Sequence, residues 1–155
     1  MLKIIKLPSI IQSHAKIFKN IFKNKAQYKH FKQYLTGLML CENKTIEGIQ
    51  SKFINSGSVN SLDHFMIRSQ WSETKLNDKR VLHLQRNKET KSKPEGVISI
   101  DDTLTHKTGK YIDDAEIHFD HATGKYVLGH NLVSIQYKDR NMSYPIDYRQ
   151  YYRKP

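Results

Sequence analysis

The hydrophobic periodicity of this chain changes once, at the polar stretch 87–95, and that change constrains the fold more than any other feature. Ahead of it, apolar residues return every three or four positions, as on one face of a helix. Behind it they come in short runs with period two, as on a half-buried strand. The expected class is therefore α+β: an N-terminal helical bundle followed by a small antiparallel sheet. At 155 residues the chain has the size of one ordinary domain and can bury a core if its elements pack together. The boundary is expected at the charged, Pro94-containing linker, giving a helical region 1–93 and a strand region 94–155.

In the first region, Leu7, Ile10, Ile11, Ile17, Phe18, Ile21 and Phe22 predict one amphipathic helix starting near Pro8 or Ser9. Tyr28, Phe31, Tyr34, Leu35, Leu38 and Met39 predict a second, from about Ala26 to Cys41. Thr45 is placed to cap a third, which carries Ile46, Ile49, Gln50 and Phe53. Two helices around the polar turn Asn43-Lys44-Thr45 have the outline of a helix-turn-helix. Asn60 and Ser72 are candidate caps of two further helices, to about Arg68 and Arg86.

In the second region, strands are expected at Val97–Asp102, Glu116–Phe119, Tyr126–Tyr137 and Ser143–Tyr148. Turns are expected at 120–125, ending in Thr123-Gly124-Lys125, and at Lys138-Asp139-Arg140-Asn141.

Charge follows the same division. Residues 1–93 carry 18 Lys and Arg against 6 Asp and Glu, net +12, whereas residues 94–155 carry 8 against 9, net −1. A cationic region attracts polyanions through counterion release, so nucleic acid leads as the expected partner. No apolar stretch approaches the roughly 20 residues of a membrane span. Lysines interrupt the first apolar run, which excludes a secretory leader. The single Cys41 rules out an internal disulfide or a thiolate cage, fits a cytoplasmic protein, and reads as a small buried hydrophobe. No phosphate-cradling glycine loop, nucleophile elbow or cysteine-histidine zinc pattern occurs.

The residues with most chemical promise end the first strand, Gly96-Val97-Ile98-Ser99-Ile100-Asp101-Asp102-Thr103. A carboxylate at the end of an apolar run needs a partner if it is buried, and a divalent metal ion is one such partner. Strand alternation puts Asp102 with Ile98 and Ile100, and Asp101 with Val97 and Ser99, so only one of the two can serve a given site. His118, Asp120 and His121 are further possible metal ligands, and His130 is a possible hydrogen-bonding neighbour of the first strand. Near the end, Tyr144, Tyr148, Tyr151 and Tyr152 alternate with Arg149, Arg153 and Lys154, a mixture that can hold nucleic acid or simply pack a strand.

Three stretches together resemble the DDE transposases of bacterial insertion sequences, whose catalytic domain has a ribonuclease-H-like fold. They are 31–40 with 43–49, from Phe31-Lys32-Gln33-Tyr34-Leu35 to Thr45-Ile46-Glu47-Gly48-Ile49; His64-Phe65 through Gln70-Trp71; and Val97 to Thr103 with Lys107-Thr108-Gly109-Lys110. Gly129-His130-Asn131-Leu132-Val133 and Tyr144-Pro145-Ile146 are similar too. The resemblance implies a DNA-binding helical region before the first three antiparallel strands of a ribonuclease-H-like core. It implies Asp102 as the first catalytic carboxylate and Mg²⁺ ligand, with Asp101 as the fallback, and Mg²⁺-dependent cutting and joining of transposon-end DNA. The family's second Asp and its Glu have no match here. The chain is accordingly expected to be a truncated or split transposase, nucleoid-associated through DNA and inactive alone. Expected partners are transposon ends, a homo-oligomer or a complementing C-terminal fragment; the alternative is a stand-alone DNA-binding regulator of transposition.

Overall fold

The computed structural model describes residues 3–54, 57, 60–109 and 111–152, and the expectations that fall on Lys110, Arg153 and Lys154 lie outside them. The chain is α+β and divides into two compact units, Met1–Arg80 and Val81–Pro155. The division falls inside a helix, ahead of the polar stretch where the composition changes.

The first unit is helical. Its elements are α1 (Ser9–His14), a 3₁₀ segment (Ala15–Ile21), α2 (Lys25–Leu40), α3 (Ile46–Lys52), α4 (Ser61–Arg68) and the first part of α5 (Glu73–Arg86). The expected single helix across 7–22 is thus two, α-helical and then 3₁₀. Packing supplies the reason. The buried residues Ile11, Ala15, Phe18 and Phe22 are separated by four, three and four positions, and the three-residue step falls in the 3₁₀ segment, where residues i and i+3 eclipse. That step delivers the Phe18 ring edge-on to Phe31, with centroids 5.5 Å apart.

An aromatic cluster holds the helices. Phe22 lies 4.9 Å from Phe31, 6.0 Å from Phe65 and 6.2 Å from Trp71, and Phe65 stacks on Trp71 at 5.8 Å. Such pairs add about 0.5–1.5 kcal/mol each beyond area burial. Cys41 is buried beside them, as its sequence context implies. Three helices begin on side-chain caps: Asn24 Oδ1 accepts from Gln27 N at 2.9 Å, Thr45 Oγ1 from Gly48 N at 3.0 Å, and Ser72 Oγ from Lys75 N at 3.1 Å. Asn60, the other expected cap, makes no such bond. Its backbone (φ −102°, ψ 9°) is not extended like those of Asn24 and Thr45, so its side chain does not turn back over the first turn.

Gly37, in the last turn of α2, receives the fully buried Ile49 of α3 against its bare backbone. Helix propensity alone rates Gly→Ala as a gain of about 1 kcal/mol. An added Cβ would overlap the Ile49 side chain, and overpacking costs about 1–3 kcal/mol. Gly37→Ala is expected to destabilise the helical unit, read as a lower urea midpoint, and the double variant Gly37→Ala/Ile49→Ala is expected to lose less than the sum of the two separate losses.

The second unit is a four-stranded antiparallel sheet of β1 (Val97–His106), β2 (Glu116–Asp120), β3 (Lys125–Lys138) and β4 (Ser143–Tyr151). Strand β3 pairs with β1 along one edge, from Val97 opposite Lys138 to His106 opposite Gly129. Its other edge pairs with β2 and then β4. Strands β1 and β4 run past their expected ends because β3 is long enough to carry them. Gly129 permits the close approach, since a Cβ there would press on the Thr105 carbonyl. Strand β1 pairs on one side only and is an edge of the sheet.

Both turns are local. Gly124 (φ 67°) closes the β2–β3 hairpin, donating its N–H to the Asp120 carbonyl at 2.8 Å. Asp139 organises the β3–β4 connection: its Oδ1 accepts from Asn141 N and Met142 N, both at 2.7 Å, and its Oδ2 accepts from the Tyr137 hydroxyl at 3.0 Å. These bonds, led by the Asn141 N–H and helped by Lys93 at 3.9 Å, hold its carboxyl below the usual carboxylate range. A carboxyl with a depressed folded pKa contributes stability that is present above the unfolded value of about 4 and is lost as pH falls through the folded value. The melting temperature of Asp139→Asn is expected to lie below that of the parent at pH 7, with the gap closing as the pH is lowered past about 4.

Candidate active site

Strand β1 carries Asp101 and Asp102 to the middle of the sheet, opposite Ser134 and Val133 of β3. Alternation turns them to opposite faces. On the Asp101 face, the Asp101 carboxylate accepts from the Asp102 backbone N–H at 3.0 Å, and Ser134 Oγ donates to the Asp101 carbonyl at 3.4 Å. On the Asp102 face, Asn131 Nδ2 donates to Asp102 Oδ2 at 3.3 Å. The Asn131 Oδ1 atom is buried and has no hydrogen-bond partner among the described residues. An unmet buried acceptor costs about 1–3 kcal/mol, so the Asn131 amide is locally destabilising.

The register explains the grouping. Leu104, Asn131 and Tyr151 stand in one row across β1, β3 and β4, and Asp102, Val133 and Arg149 in the next. Beside them the β2–β3 hairpin brings His118, Phe119, Asp120, His121 and Ala122 up to Asp102, enclosing a hollow of about 410 Å³. Asp120 is already engaged: Ala122 N donates to its Oδ1 at 2.9 Å, Thr123 Oγ1 to its Oδ2 at 2.7 Å, and His106 Nε2 lies 3.2 Å from Oδ2. The Thr123 hydroxyl, then the Ala122 N–H, keep its carboxyl below the ordinary range.

A family model described as DDE superfamily endonuclease matches residues 18–155, a span that takes in both units. The chain belongs to this family. No curated protein and no solved structure matches it. DDE superfamily endonucleases act on DNA and generally use a divalent metal. Among the described residues no helix is long and apolar enough to cross a membrane.

The divalent metal sets a test that the residues here do not meet on their own. No three His, Cys, Asp or Glu side chains converge among the described residues. Asp102 offers one carboxylate with an amide beside it. Asp120 is committed to its turn and to His106, and the His121 ring lies edge-on to Phe119 at 5.0 Å. His118, Asp120 and His121 are therefore neighbours in this chain without forming a ligand set. His130 lies on the face away from Asp102 and bonds through Nε2 to the Asp113 carbonyl at 2.9 Å.

Two groups beside Asp102 were not legible as such: Asn131, inside a stretch noted for His130, and Tyr151, inside a tyrosine run. Period-two alternation says that residues 129, 131 and 133 share a face, but which face meets Asp102 depends on the pairing register. The tyrosines separate by role. Tyr144 is buried and its hydroxyl accepts from Gln85 Nε2 at 2.7 Å, Tyr148 is exposed, Tyr151 lines the hollow, and the Tyr152 hydroxyl donates to Asp114 at 3.4 Å.

Proposed function

We propose that this chain is a transposase polypeptide that binds the ends of its own element, with Asp102 as the first carboxylate of the cutting site. The observation that carries this reading is the position of Asp102, held by Asn131 in mid-sheet beside a hollow, in a chain that belongs to the DDE superfamily endonucleases. The antiparallel order β1-β3-β4 agrees with the opening strands of a ribonuclease-H-like core. The residue ranges proposed for the two functions are 1–93 for DNA binding and 94–155 for the start of the catalytic domain. Asp101 is the weaker candidate because it looks away from the hollow.

The helical region supplies the affinity. Its excess of lysines neutralises phosphates and releases counterions, so binding weakens steeply with salt. Asp102 supplies one ligand for Mg²⁺, and the other carboxylates of the triad must come from residues that have no match here. By this reading the chain alone binds DNA ends without cutting them. The alternative is a DNA-binding regulator that occupies transposon ends or joins the oligomer of an intact transposase.

One experiment separates these readings. The purified chain is mixed with element-end duplex in Mg²⁺, with and without a second polypeptide carrying the later Asp and Glu. Salt-sensitive binding is expected in both mixtures, and strand cutting only in the second. Asp102→Ala is expected to abolish cutting, whereas Asp101→Ala leaves most of it. Cutting by the chain alone, or cutting that survives Asp102→Ala, overturns the assignment; binding with no cutting in either mixture favours the regulator.

A further inference from the structure

The helical unit carries an open cleft that the cutting site does not use. It measures about 630 Å³ and lies where the end of the 3₁₀ segment and Lys23 meet the start of α5. Three lysines, Lys23, Lys75 and Lys79, line it against one carboxylate, Asp78, a net charge of +2. None of the three ammonium groups is in an ion pair among the described residues. Two of them are held in place by neutral oxygens. Lys23 Nζ donates to Gln70 Oε1 at 3.1 Å, and the half-buried Lys79 donates through Nζ to the Ile17 carbonyl at 3.2 Å. An ammonium has three N–H donors, so both keep donors to offer, and Gln70, whose oxygen accepts from Lys23, keeps its amide N–H groups. Trp71, which also lines the cleft, stacks on Phe65 at 5.8 Å and so ties that wall to the aromatic core. Cations positioned in advance lose less side-chain freedom on meeting an anion than free surface lysines do.

The rest of the unit offers a contrast. The turn and third helix of the helix-turn-helix outline, residues 42–52, hold Lys44 and Lys52 against Glu42 and Glu47, which leaves no net charge. In the cleft, Lys75 and Lys79 stand one turn apart on α5, with Cβ atoms about 5–6 Å apart, and Lys23 joins them from another element. Cations spread in this way around an open cleft suit a run of phosphates along a strand better than one enclosed ion.

We propose that this cleft is the duplex anchor of the chain, where Lys23, Lys75 and Lys79 hold backbone phosphates of one DNA strand and Gln70 donates to a phosphate oxygen. The inference rests on the proposed DNA binding of the helical region and adds where the backbone is gripped: at the start of α5, away from the turn between α2 and α3. Contacts to phosphates set position and affinity and carry no sequence information, so a duplex of arbitrary sequence reveals them.

The test titrates the full chain against a short duplex of arbitrary sequence over a range of salt concentrations. Two double variants remove the same charge from different places: Lys23→Gln/Lys75→Gln in the cleft and Lys44→Gln/Lys52→Gln in the helix-turn-helix outline. Each lost phosphate contact lowers the slope of log K against log salt by about 0.9, so the cleft variant is expected to lose about 1.8, with binding weaker by more than about tenfold at about 0.1 M salt. The other double variant is expected to leave slope and affinity nearly unchanged. Asp78→Asn removes the one opposing carboxylate and is expected to tighten binding about threefold, a gain that misfolding does not produce, while Glu47→Gln gives none. Equal losses in the two double variants, or a larger loss in Lys44→Gln/Lys52→Gln, refute the cleft as the anchor and leave DNA binding in place. Unchanged affinity in Asp78→Asn also refutes it, even where a lysine variant fails to fold. No binding of duplex by the parent chain overturns the DNA-binding reading and the anchor with it.

Discussion

Strand β3 is hydrogen-bonded along both edges, and the second unit depends on that double pairing. With ten residues of β1 on one side and the ladders of β2 and β4 on the other, β3 satisfies its backbone polar groups within the sheet. The sheet has little apolar core to add. Among its described residues only Tyr137 and Tyr144 are buried hydrophobics, and Ile98 and Ile100 stand largely exposed on the face that carries Asp102. The ladder, two side-chain-organised turns and the hydrogen bonds of Tyr137 to Lys93 and Asp139 therefore hold the unit, in place of the apolar packing that dominates most domains.

The same pairing builds the site. Asp102 meets Asn131 because His106 lies opposite Gly129, and a shift of one residue would turn Asn131 to the far face and bring His130 forward. Tyr151 joins them because β4 follows β3 with one irregularity, between Ile135 and Gln136, where the register of β4 shifts. Strand β1 presents the Asp102 carboxylate exposed on an open sheet face. The helical unit works by opposite means. Its stability comes from an aromatic core around Phe22, Phe31, Phe65 and Trp71, which leaves its lysines free to cover the outside.

Element types were legible from periodicity. The helices around Phe31, Ile49 and Phe65 show it with one face buried, and the strands around Ile98 and Val133 show it although β1 itself buries neither face. Caps were legible at Thr45, whose backbone is extended, and at Ser72, and failed at Asn60, whose conformation is a property of the chain around it. The continuous helix expected across 7–22 failed for a related reason: apolar spacing is similar for α and 3₁₀ segments, and the Phe18–Phe31 contact decides between them. Among candidate ligands, His118, Asp120 and His121 were visible as residue types. What could not be read is that Asp120 is consumed by its own turn and by His106, a residue of another strand.

By itself, the sequence determined the order of helices before strands, the concentration of positive charge in the first 93 residues, the pair of carboxylates on the first strand, and the family to which the chain belongs. These are local or compositional properties, written in spacing and residue type. Tertiary structure alone decided which carboxylate faces the hollow, that Asn131 and not His130 attends it, and that Tyr151 lines it with them. The reason is register. Strand pairing joins residues distant in sequence, and a displacement of one position, invisible in periodicity, exchanges every neighbour on both faces of the sheet.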